Sequence, residues 1–209
     1  MSFPIAVLIS GRGSNLKSLI QAQTRGAYQI VGVLSNNPDA EGLEYARGAD
    51  IPTAAIDHRK YRERPRFDAK LAKQLEQWQP QLIVLAGFMR VLTEDFVTQF
   101  AGRMINIHPS LLPQFPGLNT HERALQSAVQ HHGASVHYVT AQLDGGPVVA
   151  QSRLEVLPED TPESLAQRLL PLEHQLLSQV VCWIAAGRVS TQHGKVCFDD
   201  EPILDPLLV

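Results

Sequence analysis

Ile5-Ala6-Val7-Leu8-Ile9-Ser10-Gly11-Arg12-Gly13-Ser14-Asn15-Leu16 passes from an aliphatic run through a glycine-rich turn into a helix-favouring segment. Ile5–Ser10 reads as a strand, Asn15–Thr24 as a helix and the next aliphatic run, Ile30–Ser35, as a second strand. The same alternation continues outward. Thr53–Ile56, Leu82–Leu85 and Met104–His108 are short runs rich in Val, Ile and Leu, and Glu41–Ala49, Arg66–Trp78 and Thr93–Phe100 are the amphipathic stretches between them. Strand alternating with helix predicts an α/β fold: an open, mainly parallel, twisted sheet with helices on both faces. Sheets of this kind bind ligands beyond the carboxyl ends of their strands, at a topological switch point.

After residue 108 the pattern changes. Asn119–Gln130 reads as a helix, with His131-His132 as its solvated end. Ala134–Thr140 and Pro147–Glu155 read as two strands joined by Leu143-Asp144-Gly145-Gly146, so the C-terminal half is expected to be partly antiparallel. A long helix should follow over Pro162–Ala186, with Thr161 as N-cap and Pro162 in the first turn. Pro171 inside it should kink or interrupt it. Asp199–Val209 reads as an extended tail. A single domain over residues 1–209 is the simplest account.

The chain has 209 residues, long enough to bury a core without disulfides or structural metals. A formal net charge of -3 leaves no basic field for nucleic acid. Phe3–Ile9 is apolar but lacks the basic flank and length of a signal peptide, and no stretch approaches a membrane span. Cys182 and Cys197 lack metal-type spacing and read as reduced thiols. These features predict a cytoplasmic protein with no nucleic acid and no membrane as partner, which leaves small-molecule partners, and they do not choose between a monomer and a homodimer.

The turn Ser10–Asn15 follows a strand and opens a helix, where glycine lets the backbone approach a ligand and free N–H groups face an anion. A Walker-type loop would need Gly-Lys-Ser/Thr, which is absent. A dinucleotide loop would need a third glycine where Leu16 stands, and an acid where the second strand ends in Ser35-Asn36-Asn37. A single phosphate fits best, with Lys17 as slight support. A tight turn capped by Ser14 with nothing bound remains the alternative.

Asn106 and His108 alternate on one strand, so their side chains share a face with Cα atoms about 6.6 Å apart. Pro109 favours extended geometry at His108. Two donors side by side at a strand's carboxyl end could grip one oxygen as negative charge develops on it. His108 could equally be a polar strand end. Asp144-Gly145-Gly146 is ordinary turn chemistry, and spacing alone does not connect Asp144 to His108. His108, His121, His137 and Asp144 could cluster on a metal in principle, but no pair has the short spacing of a zinc site, and none is expected.

Asn106-Ile107-His108-Pro109-Ser110-Leu111-Leu112-Pro113 with Phe115-Pro116-Gly117 resembles the signature of the folate-dependent formyltransferases, and Leu143-Asp144-Gly145-Gly146-Pro147 resembles their second motif. Ala86-Gly87-Phe88-Met89-Arg90 and the Ile9–Asn15 turn narrow the resemblance to the branch that acts on glycinamide ribonucleotide. It covers nearly the whole chain. It implies transfer of a formyl group from 10-formyltetrahydrofolate, as co-substrate and without a metal, to the substrate amine. Asn106, His108 and Asp144 would be catalytic, the Asp144 charge raising the proton affinity of His108. Gly13, Ser14 and Asn15 would hold the phosphate and Glu173 the ribose. Met89, Arg90, Val91 and Leu92 would meet the folate's pterin, with Asn106 and the loop Val139, Thr140, Ala141, Gln142, Leu143 and Asp144 lining the same ligand. Arg64 would contact the folate, with Arg62 and Arg66 competing for that role. Gln114 stands where related chains often carry Lys, and Gln175-Leu176 where they continue towards Tyr-Pro. A formyltetrahydrofolate hydrolase using the same residues, or a non-catalytic phosphate-ligand module, are the rival readings.

Overall fold

The computed structural model describes residues 2–23, 26–192 and 194–209. Strand β1 (Phe3–Ile9) leads through the glycine turn to helix α1 (Ser14–Gln23) and strand β2 (Tyr28–Ser35). Thr24, the last residue expected in the first helix, lies outside the described residues. Next come α2 (Gly42–Arg47), β3 (Thr53–Ala55), a 3-10 turn at His58–Lys60, α3 (Arg64–Trp78), β4 (Leu82–Leu85), α4 (Glu94–Gln99) and β5 (Met104–His108). The chain divides into two compact units, one ending at Asn106 and one beginning at Ile107.

The first unit is built on parallel strands in the order β5-β4-β1-β2-β3. Ile5–Ile9 and all of β4 are buried, as strands covered on both faces must be. The chain moves from β1 to β2 and β3, then returns to β4 on the other side of β1. Loops after β1 and β4 therefore diverge, and the crevice between them is the switch point. Pro65 lies in the first turn of α3, and the helix stops where Gln79 takes a left-handed φ of 50° before Pro80.

The second unit contains α5 (Thr120–Gln126), β6 (His131–Tyr138), β7 (Val148–Glu155), α6 (Pro162–Ala185), β8 (Val189–Gln192), β9 (Lys195–Phe198), β10 (Glu201–Pro202) and β11 (Leu207–Leu208). Strands β6 and β7 are antiparallel and β11 pairs parallel with β7. Strands β8, β9 and β10 form a separate antiparallel sheet. The fold is thus the expected α/β class, a mainly parallel open sheet with a partly antiparallel C-terminal part. Thr161 caps α6 in a reciprocal capping box with Ser164. The face bearing Leu165, Leu169, Leu176, Leu177, Val180 and Val181 is buried, and the helix lies on β6 and β7.

Several expectations are corrected. Pro171 does not interrupt α6: the buried stripe continues on both sides of the exposed proline, and that packing outweighs the cost of about 3 kcal/mol for an interior proline. Helix α5 ends at Gln126 rather than Gln130, closed by the left-handed Ala128. His131 and His132 are not a solvated helix end but the start of β6, and His132 is buried because the strand is covered on both faces. The expected tail contains β10 and β11, and the β8–β9 hairpin before it carried no strong alternation in the sequence. Among the described residues, Cys182 and Cys197 form no disulfide. Among the described residues, no helix is long and apolar enough to cross a membrane.

Candidate active site

In the first unit, one side chain ties three strand ends together. The Ser10 hydroxyl donates to Asn36 Oδ1 at 2.6 Å, after β2, and accepts the Met89 N–H at 2.7 Å, after β4. The turn that follows is closed by glycine. Gly13 has φ +74°, and a Cβ there would stand 2.6 Å from the Cα of Gly42. Gly42 in turn donates its N–H to the Gly11 carbonyl at 3.0 Å. No side chain fits between these two segments. The turn thus reaches α1 with its backbone facing a cleft of about 380 Å³, lined by Ser10–Asn15, Ala86, Gly87 and Met89. Arg12 is the one charged residue in that lining. Lys17 faces the Tyr45 ring, 5.4 Å from its centroid. Nothing in the local sequence points to Gly42, which is distant in the chain and whose neighbours carry no motif.

Met89, Arg90, Val91 and Leu92 form the loop between β4 and α4. Met89 and Val91 are exposed, 70% and 50%, whereas the Arg90 guanidinium stacks over the buried Phe67 ring at 4.8 Å. The loop's far end is held by the Thr93 N–H donating to Asp68 Oδ2 at 2.7 Å. Two apolar side chains held out to solvent from an anchored loop suit an aromatic ligand face. Arg64 opens α3 with its side chain exposed, as are Arg62 and Arg66, and Arg66 pairs with Glu63 at 3.3 Å.

Asn106 and His108 both lie on β5, half-buried and buried respectively, two residues apart and so on one face. His108 Nε2 donates to the Phe115 carbonyl at 2.9 Å, and Nδ1 stands 3.5 Å from Asp144 Oδ2. Asp144, left-handed at φ 50°, also accepts the Gly117 N–H at 2.8 Å and faces His137 Nε2 at 3.7 Å. The second unit therefore brings Asp144 onto His108, which spacing did not reveal. Burial alone would raise the Asp144 carboxyl. The hydrogen bond from His137, the Gly117 N–H and the charges of His108 and His137 outweigh it and hold it below the usual carboxylate range.

His137, which the sequence offers only as a metal ligand, is a second imidazole on the same carboxylate. His121 meets His132 instead, Nδ1 to Nε2 at 3.1 Å. Burial first, then the charges of His121 and His108, push His132 down to about 4. Among the described residues, no group of three or more His, Cys, Asp or Glu could hold a metal ion.

The loop Val139, Thr140, Ala141, Gln142 and Leu143 is largely exposed and leads into Asp144, with Leu143 57% exposed. It is anchored behind by Gly146, where a Cβ would collide with the Tyr138 carbonyl at 1.9 Å. Glu173 is half-buried near the middle of α6.

The family model described as formyl transferase matches residues 4–181. The chain belongs to the formyl transferase family. The Escherichia coli (strain K12) family member named phosphoribosylglycinamide formyltransferase is 41% identical over 199 residues, 94% of each chain. The human trifunctional purine biosynthetic protein adenosine-3 is 40% identical over 200 residues, 94% of this chain and 20% of that protein. The solved phosphoribosylglycinamide formyltransferase of Coxiella burnetii superposes with a TM-score of 0.95 at 48% identity, covering 100% of this chain and 99% of that one. The formyltransferase fold expected from the motifs is thus shared over the full length of the chain.

Proposed function

We propose that the chain transfers the formyl group of 10-formyltetrahydrofolate to the amine of glycinamide ribonucleotide in purine biosynthesis. Both compact units serve this one activity, as a single formyltransferase domain over residues 1–209. The convergence of Asp144 on His108 carries the reading, and the names of the relatives support its choice of substrate.

The neutral amine attacks the planar formyl carbon, which becomes tetrahedral while its oxygen gains negative charge. Asn106 and the His108 imidazolium donate hydrogen bonds to that oxygen. His108 must first exchange one acceptor for another, since Nε2 is bonded to the Phe115 carbonyl. Asp144 stabilises the imidazolium throughout. The bond from carbon to the folate nitrogen then breaks, the amine loses a proton and the leaving nitrogen gains one. No covalent enzyme intermediate is needed, because a neutral amine is already a competent nucleophile.

Gly13, Ser14 and Asn15 take the phosphate through main-chain N–H groups at the start of α1. Glu173 takes the ribose. Arg64, the strip Met89–Leu92 and the loop Val139–Asp144 take the folate. The test is a folate-dependent assay of the purified protein with glycinamide ribonucleotide. Formylated product at a turnover of ordinary enzymes supports the reading. Release of formate and tetrahydrofolate alone, with the ribonucleotide untouched, would assign the chain to the hydrolases instead.

A further inference from the structure

His108 and Asp144 are each gripped by the main chain of one loop. The Phe115 carbonyl meets His108, and the Gly117 N–H meets Asp144. Phe115 and Gly117 both take positive φ, 52° and 78°. For Phe115 that is a strained conformation, which persists only where the surroundings over-determine it.

Two side chains on neighbouring strands hold the start of that loop. Ser135 of β6 and Gln151 of β7 are directly opposed in the antiparallel ladder, so their side chains share a face. Gln151 Nε2 donates to the Leu112 carbonyl at 2.9 Å and to Ser135 Oγ at 2.8 Å. Ser135 Oγ also accepts the Leu112 N–H at 3.0 Å and donates to the Ser110 carbonyl at 2.7 Å. A hydroxyl has one proton and two lone pairs, and an amide nitrogen two protons. All of them are used here. The Ser110 hydroxyl completes the frame by donating to the Gln114 carbonyl at 2.6 Å. Ser110 and Ser135 are fully buried, so a lost partner would leave main-chain groups of the loop unsatisfied where water cannot replace it.

We infer that Gln151 and Ser135 are positioning residues for the transfer chemistry: together they clamp the main chain at Ser110 and Leu112, and thereby set where Phe115 and Gly117 hold the His108–Asp144 pair. This rests on the reading that His108 and Asp144 carry the transfer. The two residues act through the loop, on the chemical step rather than on the capture of the phosphorylated substrate.

Gln151→Met keeps the length of the side chain and removes both N–H donors, while Gln151→Glu keeps the shape and turns an acceptor towards the Leu112 carbonyl. In Gln151→Met, kcat should fall about tenfold, and further in Gln151→Glu, with KM for glycinamide ribonucleotide changed by less than about twofold. Amide hydrogen exchange should quicken at Leu112 and Gly117 in the same proteins, and not at the amides of α1. A folded Gln151→Met protein with wild-type kcat overturns the inference, as does one whose loss lies in KM alone. Should the wild-type protein not formylate glycinamide ribonucleotide, the proposed function fails, but exchange still decides the clamp: unchanged protection at Gly117 in Gln151→Met overturns it, and lost protection supports it. If Gln151→Glu does not fold, Gln151→Met and Ser135→Ala answer the same questions.

Discussion

The glycine turn after β1 and the imidazole–carboxylate cluster around Asp144 are built in opposite ways. The turn is made of backbone: its conformation comes from Gly13 and its closure from Gly42, and the proposed phosphate would meet main-chain N–H groups. The cluster is made of side chains, His108, His137 and Asp144, drawn from β5, β6 and the loop after it. A backbone site selects by shape and charge, and changes little when a single side chain is altered. A side-chain site concentrates its chemistry in a few atoms, so single substitutions should be costly. That contrast separates binding from chemistry and sets the order of the expected effects.

The largest effect should fall on the chemistry. Asn106→Ala should lower kcat on the order of 10²–10³-fold, the scale of one lost oxyanion donor. Steady-state kinetics that place the loss in KM alone would reduce Asn106 to a binding residue and blur the contrast.

Removing the phosphate from the substrate probes the turn without altering the protein. Its charge-assisted hydrogen bonds to main-chain N–H groups would go unmade, so kcat/KM should fall by about a hundredfold or more. Equal kcat/KM for glycinamide ribonucleotide and its dephosphorylated form would leave the turn as a structural element only.

Asp144→Asn keeps the shape and removes the charge. In the proposed transfer the Asp144 carboxylate supports the charge on His108 as it donates to the developing oxyanion. Without the carboxylate the charge on His108 in the transition state loses its partner, so kcat should fall by about tenfold or more. The same carboxylate bears on stability. Because Asp144 lies below the usual carboxylate range when folded, it stabilises the fold above that range, and the contribution is lost as pH falls through its folded value. The stability gap between wild type and Asp144→Asn should therefore close on acidification, as denaturant titrations at several pH values can check. A folded Asp144→Asn protein with wild-type kcat would return Asp144 to the role of a turn residue.

The smallest effect should come from Gly42→Ala. The new Cβ would stand 2.6 Å from Ile9 Cδ1, which can swing aside, and 3.0 Å from the Gly13 Cα, which can shift only slightly. KM for glycinamide ribonucleotide should rise about three- to tenfold with kcat unchanged. A fall in kcat with unchanged KM would contradict the separation of the two regions.

How much of this could be read in advance differs between the regions for the same reason that their construction differs. Strands β1, β2, β4 and β5 were legible from runs of Val, Ile and Leu, and the order of strand and helix gave the parallel sheet, because strands covered on both faces must be continuously apolar. The turn was legible because a glycine at positive φ followed by a helix start is a local event. Asn106 and His108 were legible as a pair because period two puts alternate residues on one face whatever the rest of the chain does.

Other features lay outside what local pattern can carry. The end of α5 and the burial of His132 turned on β6 being covered on both faces, and the survival of α6 past Pro171 turned on its packing against β6 and β7. The sequence by itself determined the α/β class, the glycine turn between β1 and α1 and the Asn106–His108 pair, since each depends on neighbours within a few residues. Only the tertiary structure decided that Asp144 and His137 share a carboxylate–imidazole contact with His108, that Gly42 closes on Gly13, and that Ser135 and Gln151 clamp Leu112. Each joins residues from different elements, and which distant side chains meet is fixed by the path of the whole chain, which local periodicity does not encode.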